Sequence, residues 1–147
     1  MSFEVLITKS RYVSQSLREQ TLLAVESIAK DFGWQAGQIS VAVVNDRTIQ
    51  DVNRQYLNHD YPTDVISFNL TDDDQNLEGE VIVSWQTAKR VAEESGWTTS
   101  QELLLYIIHG MLHIVGLDDA TPTQSKKMRQ KERQYMQAIA GNTQNCS

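Results

Sequence analysis

Between residues 103 and 115 nearly every position is apolar, and the polar side chains in and beside this run fall on one helical stripe. At about 100° per residue, Glu102, Tyr106, His109 and His113 lie within roughly 60° of one another. Leu103, Leu104, Leu105, Ile107, Ile108, Met111, Leu112, Ile114 and Val115 take the rest of the circumference. A helix that is apolar nearly all round is a buried helix. This segment is therefore expected at the centre of the fold, with its stripe in need of polar partners inside the protein. Two histidines and a glycine interrupt it, and it is well short of the ~20 apolar residues of a membrane span.

The remaining elements are read around that helix. Residues 3–8 are β-prone and form a first strand. Ser16-Leu17-Arg18-Glu19 fits a capping box, after which Leu17, Ala24, Val25, Ile28 and Phe32 recur at helical spacing and Gly33 ends the helix in a left-handed turn. Residues 39–44 are a second strand. Asp46 is placed to cap a short helix that carries Ile49, Val52 and Tyr56 on one face. Tyr61-Pro62 marks a turn, residues 65–68 and 80–84 are short strands, and the acidic stretch 71–78 between them reads as an exposed loop, its spacing unlike a calcium site. Ser84 opens a helix to about Ser95, Thr99 or Ser100 opens the apolar helix, and a last helix runs from Pro122 to about Ala140. Residues 141–147 are expected to be a flexible tail. Strands and helices mix without strict alternation and without a composition break. The expected fold is one α+β domain over residues 1–147, with a small mixed sheet of about four strands packed with about five helices.

Charge and cysteine content narrow the setting. The net charge is −6, which opposes bulk electrostatic binding of nucleic acid while leaving room for a local basic face. Five of the 13 Lys and Arg residues fall in one such place, at Lys126, Lys127, Arg129, Lys131 and Arg133. The ordinary reading of such a cluster is a solvated helix face. The single cysteine, Cys146, has no partner for an internal disulfide. The opening Met-Ser-Phe-Glu lacks the basic and apolar segments of a signal peptide, so a cytoplasmic protein with no membrane association is expected.

His109, His113 and Asp119 carry the chemistry. Histidines at i and i+4 on one stripe aim ring nitrogens at one point, and neutral imidazole is a common metal ligand. Gly116 lets the chain leave the helix abruptly, so that Asp119 can return over the same face. The last helix has its own cap in Thr121-Pro122-Thr123-Gln124, which leaves Asp119 free to act as a third ligand. Three protein ligands leave one coordination position open, as catalytic zinc sites do. One divalent ion per chain is expected, with zinc the favoured identity, at the C-terminal end of the buried helix.

His109-Gly110-Met111-Leu112-His113 with Gly116 and Asp119 is similar to the metzincin signature His-Glu-x-x-His-x-x-Gly-x-x-His, with two changes. Gly110 stands where the protease has its glutamate base, and Asp119 stands for the third histidine. Glycine after the first histidine resembles instead the YbeY family of bacterial endoribonucleases, whose signature reads His-Gly-x-Leu-His-x-x-Gly-Tyr-Asp-His. Pro62-Thr63-Asp64-Val65-Ile66-Ser67-Phe68 and Gly79-Glu80-Val81-Ile82-Val83-Ser84 resemble further family stretches, as do Asn53, Tyr56, Met128 and Glu132. Three positions depart from the pattern: Asp119, Leu57 where the family has an arginine thought to contact RNA phosphate, and Glu80 for an aspartate.

The resemblance implies a metal-dependent, single-strand-specific endoribonuclease in ribosomal RNA maturation and ribosome quality control, with ribosomal RNA and ribosomal subunits as partners. The metal would polarise a water or a phosphate oxygen. No general base is evident; His59 and Glu80 qualify only where the fold brings them close. Arg54, one turn before Leu57, is the candidate substitute for the missing arginine, and Tyr56 or Tyr61 could stack on bases. A ribosome-biogenesis factor that binds RNA with little turnover is the alternative, favoured by Leu57. A zinc peptidase is disfavoured by Gly110.

Overall fold

The computed structural model describes residues 3–140, so the expected tail and Cys146 lie outside the described residues. Strand β1 (Phe3–Ile7) leads into helix α1 (Gln15–Asp31), strand β2 (Gly37–Val44) and helix α2 (Asp46–Leu57). Strands β3 (Val65–Asn69) and β4 (Leu77–Ser84) follow, then helices α3 (Trp85–Ser95), α4 (Thr99–Ile114) and α5 (Pro122–Ile139). The sheet order is β1-β2-β4-β3, with β1, β2 and β4 parallel and β3 antiparallel to β4. The mixed sheet of four strands and the five helices are those the sequence predicts.

β3 and β4 form the sheet's hairpin. The loop between them carries Asp72, Asp73 and Asp74 exposed to solvent. It closes on itself: the Asp73 carboxylate accepts from the amides of Gln75 and Asn76, and Leu70 and Thr71 pair with Glu78. β4 starts three residues earlier than residue 80, because pairing with β2 continues down to Gly37 and Leu77.

The period-two alternation of the strands decides which face holds the core. Ile39, Val41 and Val43 of β2, with Leu77, Val81 and Val83 of β4, turn to one face, where α1 and α4 cover them. Ile82 and Ile66 turn to the other and meet Ile49 of α2 in a smaller cluster. Between α1, α5 and the sheet, α4 is buried as its composition demands: Leu103, Ile107, Ile108, Met111 and Leu112 have no exposed surface. Burial of five such side chains contributes on the order of 10 kcal/mol of transfer free energy. That places α4 among the most firmly held parts of the molecule. A Cβ added at Gly110 would sit 2.7 Å from Cγ1 of Val81. Glycine there lets α4 settle onto β4.

Three helix starts differ from the sequence expectation by one or two residues. The cap of α1 is Ser14, whose side chain accepts from the Leu17 amide, so Ser16 lies inside the helix. The cap of α2 is Asn45, which accepts from the Thr48 amide. Asp46 is instead drawn into a tertiary network, accepting from Ser84 Oγ, Thr87 Oγ1 and Arg90 Nη1 at 2.5, 2.8 and 2.8 Å. Burial would raise its carboxyl, but those three donors outweigh burial and hold it below the ordinary aspartate value. The cap of α4 is Thr98, with Gln101 completing a capping box. Thr121, Pro122 and Gln124 start α5 as expected. No helix among the described residues is long and apolar enough to cross a membrane.

Candidate metal centre

His109 and His113 stand one turn apart at the C-terminal end of α4, and their Nε2 atoms are 3.1 Å apart. The helix then stops in a Schellman turn: Gly116 has φ +113°, its amide bonds to His113 O, and the Leu117 amide reaches back to Leu112 O. Asn69 of β3 adds a side-chain donor to Ile114 O at 3.1 Å, tying the helix end to the sheet edge. The reversal brings Asp119 back over the histidines, with its Oδ2 3.6 Å from each Nε2.

These separations fit a metal. Tetrahedral ligands at about 2.0–2.1 Å from a zinc ion lie about 3.3 Å from one another. The three distances here, 3.1, 3.6 and 3.6 Å, bracket that figure. Two imidazoles and a carboxylate form a donor set suited to zinc and its neighbours in the first transition row. The His109, His113 and Asp119 group could therefore hold a metal ion.

Glu132 completes the arrangement. Its Oε2 is 2.6 Å from Nδ1 of His109, and Glu132 is buried on α5. A carboxylate only accepts, so the shared proton sits on Nδ1 and the lone pair of His109 is left at Nε2, facing His113 and Asp119. Burial pulls the His109 pKa down, but the Glu132 hydrogen bond and the charges of Glu132, Asp119 and Asp64 raise it above the ordinary histidine value. One signal of Glu132 is present in the sequence: it shares a helical face with Met128, Tyr135 and Met136, where a carboxylate needs a partner.

Two hollows flank His109. One, of about 310 Å³, lies towards α5 and is lined by Asp64, Tyr106, His109, Asp119, Arg129 and Glu132 among others. The other, of about 240 Å³, lies towards α2 and β3 and is lined by Leu57, Val65, Ile66, Ser67, His109 and His113. Deeper along the α4 stripe, Tyr106 hydrogen-bonds the buried Glu102; burial raises that carboxyl and nearby Asp64 adds to the effect, against the Tyr106 bond.

The other sequence candidates lie away from this centre. The Arg54 guanidinium is bonded to Asp51 at 2.7 Å and Asp60 at 3.3 Å and borders neither hollow. Glu80 follows the alternation of β4 onto the face opposite α4. His59 packs against Tyr61, with ring centroids 5.5 Å apart, and Tyr56 meets Phe68 edge-on. Arg54, Tyr56, His59, Tyr61 and Glu80 line neither hollow beside His109.

An α+β domain with two histidines and a carboxylate gathered at the end of a buried helix, and with no glutamate beside the first histidine, defines a class of candidate metal centre distinct from the zinc peptidases. A family model described as endoribonuclease YbeY matches residues 5–140. The chain belongs to that family. A protein named endoribonuclease YbeY from Rhodopirellula baltica is 40% identical over 127 residues, covering 85% of this chain and 66% of the relative. One of the same name from Chloroherpeton thalassium is 37% identical over 131 residues, 88% of this chain and 92% of the relative. The solution structure of TM1509 from Thermotoga maritima superposes with a TM-score of 0.67 at 28% identity, over 95% of this chain and 90% of that one.

Proposed function

We propose that this chain is an endoribonuclease that cleaves single-stranded RNA, with ribosomal RNA as its substrate and one divalent ion, zinc by preference, held by His109, His113 and Asp119. The observation that carries the reading is the ligand triangle of 3.1, 3.6 and 3.6 Å at the mouth of two hollows, in a chain of a family whose relatives carry the name endoribonuclease. When bound, such an ion supplies Lewis-acid polarisation of a phosphodiester oxygen and acidifies water. The residues of the chain do the rest. Glu132 keeps the proton of His109 on Nδ1. Gly110 leaves no carboxylate where a peptidase has its base, and the Val81 contact leaves no room for one. Asp64 borders the α5 hollow beside His109 and Tyr106. We place the protein's work on ribosomal subunits in the cytoplasm.

A second reading has a specific observation in its favour. Leu57, where the family has an arginine, borders the α2 hollow beside both histidines and offers phosphate no donor. On this reading the protein binds ribosomal RNA and turns over little. One experiment separates the two. Metal-loaded wild type and His113→Ala are incubated with single-stranded ribosomal RNA fragments, and metal content is measured in parallel. The nuclease reading expects cleavage and one ion per chain in the wild type, and neither in the variant. Equal cleavage by both proteins would remove the metal from the reaction; binding without cleavage by the loaded wild type would favour the second reading.

A further inference from the structure

The α5 hollow is short of positive charge for a site that takes a polyanion. Asp64, Asp119 and Glu132 line it, and Arg129 is the one Lys or Arg among its lining residues. Two arginines outside the hollows already face carboxylates. Arg54 is held by Asp51 and Asp60, and Arg90 by Asp46 at 2.8 Å. Arg129 is exposed and, among the described residues, makes no hydrogen bond or ion pair.

Arg129 also has company. At about 100° per residue, Lys126, Arg129 and Arg133 fall within roughly 60° of one another on α5, and all three are exposed. This stripe runs along the flank of α5 nearer Ser125 and Glu132, which border the hollow. Lys127 and Lys131 lie on the opposite flank, beyond the buried Met128 and Tyr135, where Tyr135 bonds Asp31 of α1. Three free cations in a row beside the hollow, about 10 Å from first to last along the helix axis, match a single strand running along α5.

Resting on the RNA reading above, we infer that Arg129, with Lys126 and Arg133 behind it, is the phosphate-binding wall of the site, so that the RNA strand approaches along α5 and not across the α2 edge where Leu57 stands. Arg129 is the contact nearest the histidines; Lys126 and Arg133 extend the track to neighbouring phosphates. Arginine suits the inner position, since its planar fork grips phosphate oxygens in pairs.

The test is binding of a fluorescently labelled, 2′-O-methylated single-stranded oligonucleotide, which resists cleavage, followed by anisotropy at several salt concentrations. Arg129→Gln should weaken binding roughly five- to tenfold and lower the salt dependence by about one counterion. Lys126→Gln/Arg129→Gln/Arg133→Gln should weaken it further, by roughly 30-fold or more, while Lys127→Gln/Lys131→Gln should stay within about twofold. All substituted side chains are on the surface, and thermal melting verifies that each variant is folded. The inference is overturned when the Lys127/Lys131 pair matters as much as the triple, or when Arg129→Gln leaves affinity and salt slope unchanged. A wild type that binds no RNA would bring down the RNA reading and this inference together. A wild type that binds and cleaves RNA while the triple variant is unaffected would bring down this inference alone.

Discussion

The two walls beside His109 are made of different material. The α5 wall is polar and ordered by specific contacts: Glu132 on Nδ1 of His109, Asp119 over both rings, and Asp64 and Arg129 bordering the hollow. The α2 and β3 wall is largely apolar, with Leu57, Val65 and Ile66 facing the same histidines. The orientation of the His109 ring therefore depends on one side of the site, while the other side supplies shape. Substitutions on the two walls should fail in different ways.

The largest effect is expected where the walls meet. His113→Ala removes a proposed ligand and should weaken metal binding by more than about 100-fold, since loss of an outer partner alone typically costs 10- to 100-fold. A chelating dye competition measures this, and RNA cleavage should fall with it. Next comes Glu132→Gln on the polar wall. The amide can donate as well as accept, so it no longer enforces the Nδ1–H form of His109. Metal affinity should drop by about 10- to 100-fold with the melting temperature little changed. Unchanged affinity would mean that Glu132 serves the packing of α5 alone.

The apolar wall should respond less. Leu57→Arg places a cation beside the histidines but off the track along α5, and should leave RNA binding within about twofold with metal affinity unaltered. Anisotropy and the dye competition read the two separately; a loss of RNA affinity would show that the apolar wall itself contacts substrate.

The smallest effect at the site should come from the other face of the sheet. Asp46→Asn weakens the bonds to Ser84, Thr87 and Arg90 and should cost about 1–3 kcal/mol of stability at neutral pH, with metal and RNA binding intact. The sign follows from linkage: the folded carboxyl has a pKa below the ordinary aspartate value, so its contribution is fully present above that ordinary value and disappears as the pH falls through the folded pKa. Urea titrations at pH 7 and pH 3 should show the gap between wild type and variant closing in acid.

Much of this layout is legible in the sequence because the informative signals are local. The α4 stripe, the Gly116 turn and the Thr121 cap lie within about two dozen consecutive residues, and together they place Asp119 over the histidines. What the sequence hides depends on distant partners. Asp46 looks like a cap until Ser84, Thr87 and Arg90, some 40 residues on, draw its carboxylate away and leave capping to Asn45. Ser14 and Ser16 are equally good caps by type, and only the backbone path from β1 into α1 selects the first. Glu132 sits 23 residues from His109 on another helix, so periodicity within α4 cannot reveal it. Arg54 looks like the nearest replacement for a missing arginine, but Asp51 and Asp60 hold its guanidinium.

The burial of α4 has a consequence for the apoprotein. Both histidines are mounted on a helix whose position is set by Leu103, Ile107, Ile108, Met111 and Leu112, none of which needs an ion to pack. Their geometry is thus established by folding, before any ion arrives. Chelation should leave the fold standing, unlike in a zinc finger, where metal and fold come and go together. The ion would then stabilise the native state only by mass action, raising the melting temperature in step with its free concentration.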